Sequence, residues 1–177
     1  SAVIGTVDAY IVHRLTDGAV FATDYTNASR TLLFDIRALR WDDNLCELFG
    51  VPMKALPEVR ASASTFGETD AGGALPKRVP IVGVMGDSQA SLFAQRCFQP
   101  GAVKATFGTG TSVLLNVGDE FKPAGKGAVA ALAGGAGGGG GGLVGSQRQV
   151  RRSWIRSRPT ALRPAGDSLL DPLRGYW

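Results

Sequence analysis

The sequence predicts a mixed α/β fold, and two kinds of pattern support this. Residues 6–17 and 88–97 carry apolar side chains at helical spacing, next to residues that suit a helix start or end. Residues 103–107 and 112–117 predict a β-hairpin, because a glycine-rich turn joins them. Further apolar runs that suit strands are residues 19–23, 31–36 and 79–85.

The first helix is expected to begin at Thr6, whose hydroxyl can cap it, with Asp8 in its first turn, where the helix dipole favours an acid. Gly18 suits the helix exit. His13 falls on the face that is expected to lie in solvent. The residues expected on the buried face are Val7, Tyr10, Ile11 and Leu15.

Asp42 is expected to cap a second helix, which would end near Gly50. The residues expected on its inner face are Leu45, Leu48 and Phe49. A short helical turn is expected between Pro52 and Pro57. Residues 60–78 are rich in Ala, Ser, Thr and Gly, so we interpret them as loop and edge strand, and as a domain boundary.

The composition is that of a folded chain, since 44% of its 177 residues are hydrophobic and 19% are charged. No apolar run approaches the ~20 residues of a membrane span and no signal peptide opens the chain, so we expect a cytoplasmic protein without membrane contact. Because the chain lacks an initiator Met, we expect a processed product or a fragment. Cys46 and Cys97 are expected to be reduced core thiols. A zinc site would need more ligands, and His13 is the single His of the sequence.

All of the excess positive charge lies in the tail. Residues 1–138 hold 12 Lys and Arg against 13 Asp and Glu, whereas residues 139–177 hold seven Arg, no Lys and two Asp. The nearly neutral body gives no argument for nucleic-acid binding. Because the glycine run 137–142 cannot pack a core, we expect poor order from about residue 139 onward.

Asp87 is the first candidate for chemistry. It follows the predicted buried strand 79–85 and precedes the predicted helix 88–97, a position at which an acidic side chain can face a ligand. Such a carboxylate can serve as a general base or as a group linked to a metal. It can also simply cap the following helix.

The tip of the predicted hairpin, Gly108-Thr109-Gly110-Thr111, is the second candidate. Glycines let backbone amides approach a phosphate and threonine hydroxyls add donors, although an ordinary hairpin turn has a similar composition. The tip is neither the three-glycine dinucleotide fingerprint nor a Walker loop with its Lys. A carboxylate and a phosphate-cradling turn together indicate phosphoryl transfer.

Several segments together resemble the glycerol kinase branch of the FGGY carbohydrate kinases. The most specific is TDYTNASRT at residues 23–31, and the order and spacing match from about residue 3 to 138. We assign its TNASRT portion to structure rather than to catalysis. The other matching segments are residues 5–8, 33–34, 41–43, 56–60, 86–87, 89–90 and 107–110.

The resemblance implies a two-domain kinase fold of the actin and hexokinase (ribonuclease H-like) type, of which this chain is an incomplete part. ATP and substrate would bind in the cleft between the domains. Residues 1–78 would be the end of the first domain and residues 79–138 the start of the second, followed by the atypical Gly- and Arg-rich tail 139–177. A homo-oligomer is compatible with the full-length parent.

By the same resemblance, Asp87 is the catalytic base that removes the proton from a substrate hydroxyl, which then attacks the γ-phosphate of ATP. Asp87, Ser88 and Gln89 would bind the substrate, with glycerol favoured and glycerol 3-phosphate as product. Asp87 would also reach Mg²⁺ indirectly, through a metal-bound water. The residues that would contact the ATP phosphates are Gly108, Thr109 and Gly110.

Three departures limit what the resemblance implies. The family's first phosphate loop and the Arg-Glu pair that grips the polyol are absent, so we expect these 177 residues to be inactive alone. Ser88 stands where glycerol kinases usually have Gln, which leaves another polyol, or a sugar such as a pentulose, open as the substrate. Pro76 and Lys77 interrupt a glycine-rich loop with which some bacterial glycerol kinases bind a sugar bisphosphate. That regulation is therefore not predicted, although Arg78 remains.

Three alternatives stay open beside an active kinase. The chain can be a non-catalytic remnant of a carbohydrate kinase. The tail past about residue 134 can be a GC-rich gene read out of frame, or a genuine disordered extension. The least favoured alternative is a tail that binds nucleic acid or an anionic surface, with Trp154 stacking on a base. The arginines that would contact phosphates are Arg148, Arg151, Arg152, Arg156, Arg158 and Arg163.

Overall fold

The computed structural model describes residues 2–107, 111–119, 123–124, 128–134 and 143–150, the last of these by its backbone. The helices in these ranges are α1 (Val7–Leu15), α2 (Tyr25–Ala28), α3 (Asp43–Leu48) and α4 (Asp87–Ala94), with a 3₁₀ turn at Met53–Ala55. The strands are β1 (Ala22–Asp24), β2 (Phe34–Asp35), β3 (Arg40–Trp41), β4 (Glu58–Arg60), β5 (Glu68–Thr69), β6 (Val79–Pro80), β7 (Val103–Phe107), β8 (Thr111–Asn116), β9 (Val129–Gly134) and β10 (Leu143–Val150). The predicted mixed α/β character is confirmed.

The strands of the described ranges form three two-stranded sheets and one four-stranded sheet. β1 and β4 are parallel, whereas β2–β3 and β5–β6 are antiparallel pairs. The larger sheet is antiparallel, in the order β7-β8-β10-β9. The predicted hairpin is confirmed, since Val103 lies opposite Leu115 and Phe107 lies opposite Thr111. No helix in the described part of the chain is long and apolar enough to cross a membrane.

Strand β10 differs from the expectation of poor order after residue 139. Residues 143–150 form a strand that is paired on both sides, with β8 and with β9. Backbone pairing on two edges holds this segment in the sheet, which composition alone does not reveal. Residues 139–142 and 151–177, the rest of the predicted tail with Trp154, lie outside the described residues.

Helix α1 buries a different face from the predicted one. Ala9 and Val12 are buried, whereas Val7 and Tyr10 are 75% and 63% exposed. Val12 packs in a cluster with Ala22 of β1 and with Phe66. The predicted and the observed buried faces both have helical spacing. The observed face, with Ala9 and Val12, has the smaller side chains, and it lies against β1.

Polar residues around α1 also differ from their predicted roles. Thr6 occupies the N-cap position, but its hydroxyl makes no capping bond and instead lies 3.1 Å from Thr23 Oγ1. His13 is half-buried rather than solvated, with Nδ1 3.2 Å from the Val20 carbonyl oxygen. Gly18 is confirmed as the helix exit: its φ is +86° and its N–H donates to the His13 carbonyl at 2.8 Å.

Helix α3 begins as predicted, because Asp42 Oδ1 accepts a hydrogen bond from the Leu45 N–H at 2.9 Å. Leu45 and Cys46 are buried, but Leu48 and Phe49 are 61% and 47% exposed, so the predicted inner face is wrong for these two residues. The cysteines of the sequence are both free and buried, as predicted. Burial raises the pKa of the Cys46 thiol.

Replacing Asp42 with Ala is expected to lower the free energy of unfolding of the 177-residue chain by about 1 kcal/mol, because the Leu45 N–H loses its acceptor. Asp43→Ala is the matched control, since Asp43 is exposed in the same turn and makes no capping bond. Urea unfolding followed by circular dichroism measures both variants. Equal losses in the two variants would contradict the capping role.

The four-stranded sheet packs on two helices and brings them together. Leu92 of α4 is buried with Leu114 of β8 and Ala133 of β9. Ala28, just inside the end of α2, is buried against Leu132 of the same β9 strand. Leu132 and Ala133, which are neighbours in β9, therefore hold α2 and α4 close to each other.

Candidate active site

The segment that leads to Asp87, residues 81–86, is neither helix nor strand. The predicted buried strand 79–85 is wrong in extent and in burial, since only Val79–Pro80 form a strand and both of these residues are exposed. Beyond it, the Ile81 N–H donates to the Gly67 carbonyl at 2.8 Å and the Val84 N–H donates to the Ser62 carbonyl at 2.9 Å. These backbone bonds hold the segment that leads to α4, but they do not extend the β-ladder of β5 and β6 in a regular way.

Asp87 is the first residue of α4, and Gly86 is its N-cap residue. The Asp87 side chain is exposed, and its Oδ1 accepts a hydrogen bond from the adjacent Ser88 N–H at 2.6 Å. The alternative in which Asp87 caps the helix is therefore wrong. A carboxylate in the first turn of a helix lies near backbone N–H groups that have no partner within the helix. It can accept a proton from a hydroxyl that approaches from solvent.

Ser88 and Gln89, the other predicted substrate residues, face different surroundings. Ser88 is half-buried beside Asp87, whereas Gln89 is 4% exposed. A Cβ added to Gly86 would lie 2.8 Å from Gln89 Oε1, so the Gln89 side chain folds back against the start of the helix. Of the two, Ser88 has the more open side chain. Its role, and that of Gln89, stays a prediction.

The predicted phosphate turn, Gly108, Thr109 and Gly110, lies outside the described residues. The structure describes its two ends, because Phe107 of β7 is paired with Thr111 of β8. Three residues of the sequence therefore separate the paired ends of the two strands. Its contact with ATP phosphates stays a prediction.

A buried carboxylate that the sequence analysis did not single out lies behind α4. Asp24 is fully buried at the end of β1 and is the N-cap residue of α2. It accepts hydrogen bonds from the backbone N–H and the hydroxyl of Thr26, and from the backbone and side-chain N–H groups of Asn27. The hydroxyl of Ser62, 38 residues further along, donates to it at 2.6 Å. A buried carboxyl group requires hydrogen-bond partners, and these donors supply them.

Thr26 connects this carboxylate to the start of α4. Its Oγ1 donates to Asp24 Oδ2 at 2.8 Å and accepts a hydrogen bond from the Gly86 N–H at 2.8 Å. Asp is among the residues preferred at a helix N-cap, so this cap is one that the sequence could have suggested. The bond to Gly86 joins residues 60 apart, so no local pattern could have revealed it.

The described residues contain no group of three or more His, Cys, Asp or Glu that could hold a metal ion. This does not conflict with Mg²⁺, which is usually held by one or two carboxylates, several waters and substrate phosphates. The exposed oxygens of Asp87 suit a contact through a metal-bound water.

Residues 2–94 match the N-terminal domain of the FGGY family of carbohydrate kinases. The chain is 54% identical over 116 residues to glycerol kinase 1 of Thermotoga maritima, a match that covers 66% of this chain and 23% of that protein. It is 41% identical over 167 residues to the glycerol kinase of Desulfitobacterium hafniense, which covers 93% of this chain and 34% of that protein. The chain therefore spans about a quarter to a third of the curated relatives it matches.

Solved structures give the same fold. The chain superimposes on a glycerol kinase of Plasmodium falciparum, crystallised with ADP, with a TM-score of 0.76 at 32% identity, over 83% of this chain and 29% of that chain. A ligand-bound xylulose kinase from Lactobacillus acidophilus gives a TM-score of 0.67 at 17% identity, over 81% of this chain and 28% of that chain. The predicted kinase fold of the actin and hexokinase type, represented in part, is confirmed.

Proposed function

Because the chain belongs to the FGGY family of carbohydrate kinases, we propose that it forms the central part of an ATP-dependent kinase whose favoured substrate is glycerol and whose product is glycerol 3-phosphate. The observation that carries the proposal is the exposed Asp87 carboxylate on the first turn of α4. The names of the relatives that are 41–54% identical to this chain support glycerol as the acceptor.

In this proposal Asp87 is the general base. It accepts the proton of the attacking hydroxyl as the oxygen bonds to the γ-phosphorus of ATP and the bond to the β-phosphate oxygen breaks, which releases ADP. Ser88, next to Asp87, hydrogen-bonds a second hydroxyl of the substrate. Mg²⁺, when bound with ATP, offsets phosphate charge, and Asp87 would contact it through water.

The proposal is tested by ADP formation from ATP in the full-length gene product, with glycerol, other polyols and pentuloses as acceptors. We expect turnover that depends on the acceptor and is fastest with glycerol. The absence of turnover with every acceptor would support the non-catalytic remnant instead.

A second substrate class is favoured by one observation. Ser88 is shorter than the Gln that the resemblance leads one to expect at its position, beside Asp87. In this proposal the shorter side chain would admit a larger acceptor, such as a pentulose. A higher kcat/KM for a pentulose than for glycerol in the same panel would select this class.

The phosphate turn gives a prediction of its own. Thr109→Val is expected to weaken the use of ATP more than that of the acceptor, because it deletes a hydroxyl near the phosphates. Gly108→Val is expected to be worse, since a side chain there blocks the approach of the backbone to the phosphates. Initial rates over a range of ATP concentrations measure both variants. An unchanged KM for ATP and an unchanged kcat in both would exclude the turn as a phosphate cradle.

A further inference from the structure

We propose that Thr26, held by Asp24, is a positioning residue that fixes where the Asp87 carboxylate points. The inference rests on the proposed function, because positioning matters only if Asp87 is the base. Neither Thr26 nor Asp24 is expected to touch the substrate through this contact. Both lie behind the start of α4, with their side chains fully buried.

The hydroxyl of Thr26 has only one orientation that satisfies its surroundings. A hydroxyl has one proton to donate and lone pairs to accept with. The proton goes to the Asp24 carboxylate, whose oxygens lie 3.0 and 2.8 Å from Thr26 Oγ1. A lone pair of Thr26 Oγ1 is left for the Gly86 N–H, 2.8 Å away. By accepting the Thr26 proton, Asp24 keeps the hydroxyl oriented so that its oxygen accepts from Gly86, the residue directly before Asp87.

A second tether runs from the same carboxylate through Ser62. The Ser62 hydroxyl donates to Asp24 Oδ2 at 2.6 Å, and the Ser62 carbonyl accepts the Val84 N–H at 2.9 Å. The backbone is therefore held at Val84 and at Gly86, three residues and one residue before Asp87. The space around these tethers is tight, because a Cβ on Gly83 would lie 3.3 Å from the Ser62 carbonyl oxygen.

The tethers act on a stretch whose apolar contacts lie on one side, where Val84 packs against the cluster of Val12, Ala22 and Phe66. Residues 82 and 83 are exposed, and residues 84–86 are only half-buried, so apolar packing on the segment is one-sided. The bond from Gly86 therefore acts beside the packing of Leu92 in setting the direction in which α4 begins. A reacting carboxylate that is displaced by about 1 Å can lose ~10²-fold in rate.

The test compares Thr26→Val, which removes the hydroxyl at constant shape, with Thr26→Ser, which keeps it. Thr31→Val is the matched control. The Thr31 hydroxyl lies in the same stretch, residues 23–31, and donates to the Ala28 carbonyl, but it has no bond to Gly86. All three are made in the full-length gene product. The measurements are kcat and KM with ATP and glycerol, and hydrogen exchange of the Gly86 amide at a temperature where each variant is folded.

We expect Thr26→Val to lower kcat by about 10–100-fold with KM for ATP changed less than about 3-fold, and to speed exchange at Gly86. Thr26→Ser and Thr31→Val should stay within about 3-fold of wild type in kcat and should protect Gly86 normally. A kcat of Thr26→Val equal to that of Thr31→Val overturns the proposal, as does unchanged exchange at Gly86.

If Thr26→Val does not fold, Ser62→Ala decides the question, because it removes one donor to Asp24 and leaves Thr26 in place. It is expected to lower kcat by about 3–10-fold, and an unchanged kcat would then overturn the proposal. If the wild-type protein shows no kinase activity, the proposed function fails, and faster Gly86 exchange in Thr26→Val but not in Thr26→Ser upholds the tether on its own.

Discussion

Replacing Asp87 with Asn is expected to lower kcat with ATP and glycerol by about 10²–10⁴-fold in the full-length gene product, because an amide cannot accept the proton of the attacking hydroxyl. Folding should survive, since the side chain is exposed and the shapes of Asp and Asn match. The coupled assay for ADP measures the rate, and the temperature of thermal unfolding confirms that the variant is folded.

Asp43→Asn is the matched control for this prediction. Asp43 is the first residue of α3, as Asp87 is of α4, and both carboxylates are exposed. The control makes the same chemical change at the same position of a helix away from the site, so its kcat should stay at the wild-type value. Full activity in Asp87→Asn would show that another group removes the proton.

Replacing Phe66 with Ala is expected to lower the free energy of unfolding of the 177-residue chain by about 3–5 kcal/mol. Phe66 is fully buried and packs with Val12 of α1 and Ala22 of β1, so its removal leaves a cavity between these elements. The Arg60 guanidinium, 5.8 Å from the ring centre, would also lose its aromatic neighbour. Urea unfolding followed by circular dichroism measures the loss.

Phe49→Ala provides the comparison for Phe66→Ala. Phe49 is 47% exposed at the end of α3, so the same truncation there should cost less than about 1 kcal/mol. Similar losses at the two positions would mean that the cluster around Phe66 is not a principal part of the core.

The sequence predicts those features whose signals are local. The Asp42 cap and the Gly18 exit each depend on residues within five positions, and both are confirmed. The hairpin of β7 and β8 follows from two apolar runs and a short turn. Each of these structures is encoded within one segment, so no knowledge of the tertiary fold is needed.

Predictions that depend on distant partners were less successful. The face of α1 is chosen by β1 and Phe66, and not by which of its apolar residues are largest. The sequence predicts the start of this helix at residue 88, one residue late, whereas the link from Gly86 to Thr26 crosses 60 residues. A polar contact of that range leaves no periodicity, so it becomes visible only when the fold brings the two segments together.

The position of β10 between β8 and β9 has a consequence for the order in which the sheet is completed during synthesis. The β7–β8 hairpin leaves the ribosome before β9 does. In the described sheet, however, β9 pairs only with β10, which is the last of the four strands to emerge. Until residues 143–150 emerge, the outer edge of β8 and the whole of β9 therefore keep unpaired backbone groups, which can pair with another nascent chain. A truncation that ends before Leu143 makes this exposure permanent. Shortened forms of the protein should therefore include residues 143–150, so that these strand edges stay paired.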